Sequence, residues 1–296
     1  MSNLTPAPVG RPGPGGLSWE TVLAEHLPPL IAQALAEDIG TGDVTTLATI
    51  PPDLTYSGTL IAKAPGVIAG LAVARRVFET VDSGVEFTPA VADGERVARG
   101  TPIATVRGPA QALLTGERVA LNFLQRMSGI ATLTRRYVDA IAGTRATILD
   151  TRKTAPGLRL VDKWAVALGG GSNHRIGLYD MALIKDNHIT AAGGISAAVA
   201  RVRARWGDAL PIEVEVKNLA ELHEVLQLKV DQIMLDNMGL DEMRAAVGLV
   251  QGALPLEASG NISLETVAAV AATGVDFISV GKLTHSVEAL DISFLL

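Results

Sequence analysis

The second half of the chain alternates between short apolar runs, each ending in or next to a polar residue, and longer amphipathic stretches. The runs are residues 146–150, 182–185, 212–216, 232–236, 256–259 and 276–280. Helical patterns separate them, for example at residues 219–228, 241–251 and 264–273. Glu215, Asp236 and Glu257 follow one another at intervals of 21 residues, which is the period of a compact βα unit.

Six such units favour a parallel α/β barrel, in which the carboxyl ends of the strands and the loops after them form the active site. An open doubly wound sheet is the alternative fold. It is disfavoured because no G-x-G-x-x-G fingerprint follows a predicted strand.

The first half has a different pattern, with short β-prone runs between glycines and prolines. This pattern predicts strands at residues 59–64, 66–70, 86–90 and 102–107 and a helix at 71–81. The turn at Asp93-Gly94 faintly resembles the hairpin of lipoyl and biotinyl carriers. No lysine lies at this turn to carry a cofactor, so we interpret the region as an α+β scaffold and expect no organic cofactor.

The N-terminal residues precede this scaffold. Residues 1–16 contain four prolines and four glycines, a composition that predicts a disordered tail. Ser18 is predicted to cap a first helix, which Pro28-Pro29 would break, and residues 30–38 return to a helical pattern.

A long helical stretch at residues 113–142 links the two halves, with a predicted break at Gly129. Its polar positions form one stripe on an otherwise apolar helix: Arg118, Asn122, Gln125 and Arg126. The stripe is either an ordinary solvent-facing surface or a polar surface packed against another part of the protein. The pattern alone leaves both interpretations open.

Composition narrows the class of protein. The 296 residues are 48% hydrophobic, enough for a sizeable core, and the net charge of −6 argues against a general nucleic-acid binder. The absence of cysteine excludes disulfides and thiolate metal sites. No apolar run reaches the roughly 18–20 residues of a membrane span, and no signal-peptide pattern is present, so we expect a cytoplasmic protein.

One segment, residues 150–188, carries an excess of positive charge although the chain as a whole is acidic. Its six lysines and arginines exceed its four aspartates, and it adds His174 and His188. We predict that these cations bind an anionic ligand. The alternative, in which each cation pairs with a nearby aspartate, explains Lys163 or Arg159 but not the whole set. The triple glycine 169–171, which precedes His174, is expected to approach the ligand closely through its backbone.

Later strand ends offer acids and small residues. Glu215 and Asp236 lie at equivalent ends of successive strands, where they can serve as bases, as acceptors for sugar hydroxyls or as ligands of Mg²⁺ rather than Zn²⁺. Ser259-Gly260-Asn261 and Gly281 to His285 suit a phosphate cup. Plain βα turns are an equally good interpretation of each of these two segments taken alone.

Several motifs taken together resemble the quinolinate phosphoribosyltransferase family, from about residue 18 to the C-terminus. They are EDIGTGDVT (37–45), NFLQRMSGIAT (122–132), DTRKT (150–154), GGGSNHRIGL (169–178), LIKDNHI (183–189), EVEVKN (213–218), MLDN (234–237) and SVGKLTHS (279–286). No single motif is decisive, but their joint occurrence in the family's order is specific.

The resemblance implies a phosphoribosyl transfer from phosphoribosyl pyrophosphate to quinolinate, with Mg²⁺ and with release of pyrophosphate and CO2. It implies an α/β sandwich over residues 17–128 and an open parallel α/β barrel over 129–286, of the type II phosphoribosyltransferase kind. Residues 287–296 are expected to pack back on the sandwich. It also implies a homodimer with shared active sites, or a larger assembly of such dimers.

Residue by residue, the resemblance assigns the site as follows. Quinolinate would be held by Thr151, Arg152, Lys153, His174, Arg175 and Lys185, with Arg118 supplied by the partner subunit. Glu215 and Asp236 would bind the ribose and help the metal, and Ser259, Gly260, Asn261, Gly281 and His285 would bind phosphate. Lys153, Lys185, Glu215 and Asp236 are the expected catalytic residues.

Two positions depart from the family pattern. Many relatives have a basic residue just before the triple glycine, where this chain has Val166-Ala167-Leu168, and Asn261 stands where glycine is common. Neither change removes a predicted ligand. The alternatives are a paralogue acting on another acceptor, like the family members associated with molybdenum transport, and a non-catalytic phosphometabolite-binding protein.

Overall fold

The computed structural model describes residues 19–296, apart from the side chains of residues 20 and 23. The predicted tail and the capping role of Ser18 lie outside these residues. Helix α1 (Trp19–Thr21), a π-helical turn (Val22–His26) and α2 (Leu27–Ile39) follow one another directly. The predicted break at Pro28-Pro29 is therefore wrong, because both prolines lie in the first turn of α2, where no intrahelical N–H is required.

The N-terminal region forms an antiparallel sheet with helices packed against it. Its elements are α3 (Val44–Thr49), β1 (Thr55–Ala62), β2 (Gly66–Val67), α4 (Leu71–Val81), β3 (Glu86–Pro89), β4 (Arg96–Val97) and β5 (Pro102–Pro109). The last strand of the chain, β12 (Ile292–Leu295), joins this sheet beside β1, which gives the order β12-β1-β5-β3. The buried face of α4 includes Val77 and Phe78, both fully inaccessible to solvent.

Helix α5 (Ala110–Ala140) runs without interruption between this sheet and the second half of the chain. The predicted break at Gly129 is wrong. A Cβ atom at this position would lie 2.1 Å from the carbonyl oxygen of Glu288, so Gly129 allows the C-terminal segment to approach the helix closely. No helix of the residues described here combines the length and the apolarity that crossing a membrane requires.

The second half consists of alternating strands and helices. The elements are β6 (Thr147–Leu149), α6 (Arg159–Leu168), β7 (Ala182–Ile184), α7 (Asp186–Ala192), α8 (Ile195–Trp206), β8 (Ile212–Val216), α9 (Leu219–Val225), β9 (Gln232–Asp236), α10 (Leu240–Val250), β10 (Leu256–Ser259), α11 (Val267–Ala271), β11 (Phe277–Ser279) and α12 (Lys282–His285). All six strands are parallel, in the order β6-β11-β10-β9-β8-β7.

This strand order is that of an open barrel. Strands β7 to β11 each lie beside the next one in the chain, and β6 returns to pair with β11, so the order never reverses as it does in a doubly wound sheet. One parallel bridge, between Leu149 and Ser172, adds a short segment beside β6. Among the described residues no ladder joins that segment to β7, and this is where the barrel is open.

Candidate active site at the open barrel

The carboxyl ends of the barrel strands bring the predicted site residues to one mouth. Thr151, Arg152 and Lys153 follow β6, Lys185 follows β7, and Glu215 and Asp236 lie at the ends of β8 and β9. In the register of β9 and β10, Asp236 pairs with Ser259. The remaining predicted residues of the mouth are His174 and Arg175 after the Leu149–Ser172 bridge, Gly260 and Asn261 after β10, and Gly281 and His285 around α12.

A buried ion pair fixes the segment that carries His174 and Arg175. Lys163 donates to Asp150 Oδ1 at 2.5 Å, and both side chains are fully buried. The same Oδ1 accepts the backbone N–H of His174 at 2.8 Å, and Oδ2 accepts Asn173 Nδ2 at 2.7 Å. Lys163 also donates to the His174 carbonyl at 3.0 Å. Burial raises the pKa of Asp150 and lowers that of Lys163, so these further bonds are needed to support the charged pair.

Arg152 and Arg175 are neighbouring cations without an acid partner. Neither guanidinium has a carboxylate oxygen within 4.0 Å among the described residues. Arg175 is only 6% exposed and donates to the Met181 carbonyl at 3.0 Å. Burial and the proximity of Arg152 lower its pKa. The Nε atom of Arg152 is buried with no hydrogen-bond partner, so this part of the mouth is built to receive an anion.

Lys153 connects this cationic part to the late strands. Its backbone N–H donates to Thr151 Oγ1 at 3.0 Å, and its carbonyl accepts from Thr284 on α12 at 2.9 Å. A Cβ atom at Gly281 would lie 3.1 Å from Lys153 Cδ and 3.2 Å from His285 Cδ2. The lysine stem and the imidazole therefore both pack on Gly281, which joins the cationic part to the predicted phosphate cup.

The predicted phosphate cup has backbone conformations that favour glycine and asparagine. Gly260 has φ +99°, and a Cβ atom there would lie 2.1 Å from Asn237 Oδ1. Asn237 and Asn261 also have positive φ angles, of 55° and 51°, which asparagine tolerates better than most residues. Asn261 Nδ2 donates to Asn237 Oδ1 at 3.1 Å. The positive φ at residue 261 explains why glycine is common there and why asparagine can replace it.

The acids of the mouth differ in their surroundings. Glu215 is 7% exposed, and its Oε2 accepts from Lys185 Nζ at 2.9 Å. Asp236, at the end of the neighbouring strand, is more accessible and has no ion-pair partner among the described residues. The site therefore offers one free carboxylate and one that shares its charge with a lysine.

His174 points into the barrel rather than into the mouth. Its Nε2 lies 3.0 Å from Glu213 Oε2 and 3.3 Å from Glu257 Oε2, and its Nδ1 accepts the backbone N–H of Arg175 at 2.8 Å. Burial lowers the pKa of His174, but the two carboxylates outweigh it and raise the pKa, whereas the Arg175 N–H opposes a second proton on Nδ1. Burial and the field of Glu257 raise the pKa of Glu213 to about 7.

The triple glycine has a packing role that the sequence did not indicate. A Cβ atom at Gly169 would lie 2.7 Å from the Ala131 carbonyl oxygen, and one at Gly171 would lie 2.9 Å from Thr134 Cγ2. Both contacts are with α5. These glycines allow the chain to pack tightly against a helix that is adjacent only in the folded protein, and the approach of their backbone to a ligand stays a prediction.

The polar stripe on α5 divides into packed and exposed residues. Arg126 forms a two-pronged ion pair with the buried Asp162, with both bonds at 2.8 Å. Gln125 donates to the Ile292 carbonyl at 2.7 Å and so holds β12. Arg118 and Asn122 are exposed, and no described contact joins Arg118 to the mouth of its own barrel.

Some residues that organise the site were not singled out from the sequence. They are Asn173, Asn237, Glu213, the inward-facing Glu257 and Asp150, which is the partner of Lys163. A signal for Glu213 was present. It alternates with Glu215 in the run Ile-Glu-Val-Glu-Val, and residues two apart in a strand share a face. Two glutamates on the inner face of a buried strand predict a polar barrel interior.

Comparison with known proteins gives matches over both halves of the chain. The profile described as Quinolinate phosphoribosyl transferase, N-terminal domain, matches residues 43–128, and the profile of the C-terminal domain matches residues 130–295. Quinolinate phosphoribosyltransferase (decarboxylating) 1b of Nicotiana tabacum is 48% identical over 283 residues, which cover 89% of this chain and 80% of that protein.

Two further comparisons agree with this one. The chloroplastic nicotinate-nucleotide pyrophosphorylase (carboxylating) of Arabidopsis thaliana is 49% identical over 286 residues, which cover 90% of this chain and 82% of that protein. The crystal structure of NadC from Streptococcus pyogenes has a TM-score of 0.89 at 41% identity, with 94% of this chain and 96% of that chain covered. The predicted combination of an α/β sandwich and an open barrel is confirmed.

The buried Asp150–Lys163 pair generates a stability prediction. We expect Lys163→Met to lower the free energy of unfolding by about 3–5 kcal/mol, because it leaves the Asp150 carboxylate buried without its cation. The double variant Asp150→Asn/Lys163→Met should recover part of this loss. Urea unfolding followed by circular dichroism measures both. Lys229→Met, which breaks the exposed pair with Asp208, is the control and should change stability little. A loss for Lys163→Met no larger than the control's would contradict the prediction.

Proposed function

The chain belongs to the quinolinate phosphoribosyltransferase family, and we propose that the barrel mouth described above is its active site. The enzyme transfers the phosphoribosyl group of phosphoribosyl pyrophosphate to quinolinate. Pyrophosphate and CO2 are released, and nicotinate mononucleotide is formed for the de novo biosynthesis of NAD. The observation that best supports the assignment of the site is the neighbouring pair Arg152 and Arg175, which lacks an acid partner within the described residues.

The part of the site around these two arginines is assigned to quinolinate, the acid substrate, and is called the acid half. Quinolinate is a dianion with carboxylates on adjacent ring carbons, and a pair of guanidinium groups can bind such a dianion through charge-assisted hydrogen bonds. The buried, unpartnered Nε of Arg152 is satisfied once a carboxylate arrives. His174, whose ring nitrogens both face protein atoms, contributes by fixing the backbone of Arg175.

The ribose half is assigned to the later strands. Glu215 and Asp236 accept hydrogen bonds from the ribose hydroxyls, and the cup formed by residues 259–261, Gly281 and His285 holds phosphate. The same two carboxylates fit Mg²⁺, a hard cation that is commonly held by one or two carboxylates together with substrate phosphates. Since Glu215 already forms an ion pair with Lys185, Asp236 is the more available of the two carboxylates for the metal. When bound, Mg²⁺ neutralises charge on the departing pyrophosphate.

The transfer step follows from this placement of charges. The quinolinate ring nitrogen forms a bond to C1′ of the ribose while the bond from C1′ to the pyrophosphate oxygen breaks. Positive charge develops on the sugar as the bond to pyrophosphate breaks, and the carboxylates of Glu215 and Asp236 stabilise this charge. Arg152 and Arg175 orient the ring so that its nitrogen faces C1′, which removes much of the entropic cost of the encounter.

Decarboxylation then uses the new positive charge on the ring nitrogen. The bond between C2 and its carboxylate breaks, CO2 leaves, and the electron pair stays on C2, where the adjacent quaternised nitrogen stabilises it. A proton must replace CO2 at this carbon, and the ammonium groups of Lys153 and Lys185 are the assigned donors. Lys153 has no carboxylate partner among the described residues, whereas Lys185 is paired with Glu215.

A turnover assay tests the assignment against the two alternatives. With phosphoribosyl pyrophosphate and Mg²⁺ we expect the absorbance of quinolinate to fall and CO2 to appear, because the cation set matches a dicarboxylate. Nicotinate, which lacks the second carboxylate, should release no CO2 and serves as the control substrate. Activity with another pyridine acid only would favour a paralogous enzyme. Tight binding without turnover of either acid would favour a phosphometabolite-binding protein and contradict the proposal.

The active site is further proposed to be shared in a homodimer. Arg118 carries an exposed guanidinium on α5, eight residues before Arg126 and therefore about 12 Å along the helix from it. Large apolar side chains are also exposed, with Leu178 at 73% and Tyr179 at 68% on the loop after Arg175 and Val44 at 77% on α3. In the proposed dimer these apolar side chains are covered by the partner subunit. A partner seated there would bring its Arg118 to this chain's mouth.

Mixed dimers test this sharing. Arg118→Ala chains and Lys185→Ala chains should each be nearly inactive alone. If each site combines one barrel with the partner's arginine, a mixed dimer has one intact site, so a one-to-one random mixture should recover about a quarter of wild-type activity. Subunit exchange is verified by mass spectrometry before the assay. Verified mixed dimers that stay inactive would place Arg118 outside the partner's site.

A further inference from the structure

The interior of the barrel contains a set of hydrogen bonds that the proposed reaction does not use. Glu213 on β8 and Glu257 on β10 are fully buried, and Gln232 on β9 donates to both of them at 2.8 Å. Ser279 on β11 donates to Glu257 Oε1 at 2.5 Å. These four residues and His174, which contacts both glutamates, are called the interior network below. It crosses four adjacent strands of the barrel.

His174 connects the interior network to the site. Its Nε2 lies between Glu213 Oε2 and Glu257 Oε2 and is aligned with neither, while its Nδ1 accepts the backbone N–H of Arg175. A movement of the imidazole therefore moves the backbone of Arg175. The guanidinium of Arg175 is also within the electrostatic influence of Glu213, which favours its charged form.

The position of Arg175 depends on this link because the barrel is open beside it. A single bridge, Leu149 to Ser172, pairs its segment with β6, and no described ladder pairs it with β7. Glu213 lies two residues before Glu215 on the same face of β8. The interior network therefore connects Arg175, which is assigned to quinolinate, with the strand that carries Glu215, which is assigned to the ribose.

A metal ion is the other occupant to consider for this cluster. His174, Glu213 and Glu257 offer three buried ligand atoms within 4.8 Å of one another. However, the Arg175 N–H can only donate, so Nδ1 acts as an acceptor and the ring proton lies on Nε2. A histidine that binds a metal through Nε2 normally donates from Nδ1. The arrangement is that of a hydrogen-bond network.

We propose that the interior network positions Arg175 and thereby determines the affinity of the enzyme for its pyridine dicarboxylate substrate. This inference rests on the proposed function of the site. Glu213, Gln232 and Glu257 do not touch the substrate in this proposal; they are positioning residues that act through His174. Loss of one carboxylate removes one of the two negative groups that hold the Nε2 side of His174, and the ring and the Arg175 backbone then take up several orientations.

The test compares the two substrates. Glu257→Gln keeps the volume of the side chain and removes its charge. Calorimetric titration of the full-length variant should give a dissociation constant for quinolinate raised about tenfold, and one for phosphoribosyl pyrophosphate raised less than about threefold. Glu224→Gln, an exposed glutamate on α9, is the control and should leave both constants unchanged. Equal losses for both substrates would overturn the proposal. If Glu257→Gln does not fold, Ser279→Ala is used instead, because it removes one hydrogen bond of the network. This variant should also weaken the binding of quinolinate more than that of phosphoribosyl pyrophosphate.

A double-variant cycle separates positioning from general loosening. If the network acts through Arg175, the combination of Glu257→Gln with Arg175→Lys should bind quinolinate no more weakly than the weaker single variant. The combination with Arg118→Ala should instead multiply the two single effects. Multiplied effects with Arg175→Lys would overturn the inference. A wild-type protein that binds quinolinate without turnover contradicts the proposed function alone, whereas one that binds no quinolinate contradicts both.

Discussion

The fully buried ion pair between Asp150 and Lys163 is the interaction on which the geometry of the site depends. Removing both charges from water is costly, and the pair is supported by bonds to Asn173 and to the backbone of His174. These same bonds hold the segment before Arg175 against β6, to which one ladder bridge joins it among the described residues. The open side of the barrel is thus held by side chains, in contrast to the ladder bonds that hold the other strands.

The distribution of positive charge follows from this arrangement. Lys163 and Arg126 neutralise buried aspartates and so support the fold, while Arg152 and Arg175 have no carboxylate within ion-pair distance among the described residues. A cation that stays partly buried without a partner lowers stability, which a protein tolerates where a ligand supplies the opposite charge. The distinction between structural and ligand-binding cations therefore lies in their partners, since lysine and arginine side chains can take either role.

Local patterns predicted part of the fold closely. The strands at 212–216, 232–236 and 256–259 and the helix Leu71–Val81 agree with the structure, because hydrophobic periodicity within a short window decides them. The predicted breaks at Pro28-Pro29 and Gly129 failed for a common reason. Proline in the first turn of a helix and glycine in contact with another chain segment both resemble helix-breaking residues in the sequence. Only the tertiary structure shows that the helix continues through them.

The sequence by itself determined which residue types stand at the strand ends, and its motifs were specific enough to indicate the family and the reaction. It did so because strand period and short motifs are properties of neighbouring residues. The tertiary structure alone decided that Asp150 is the partner of Lys163, that the triple glycine packs on α5, and that His174 faces Glu213 and Glu257. Each of these depends on side chains from separate strands and helices meeting in space, and charge and packing between them are set only when the barrel forms.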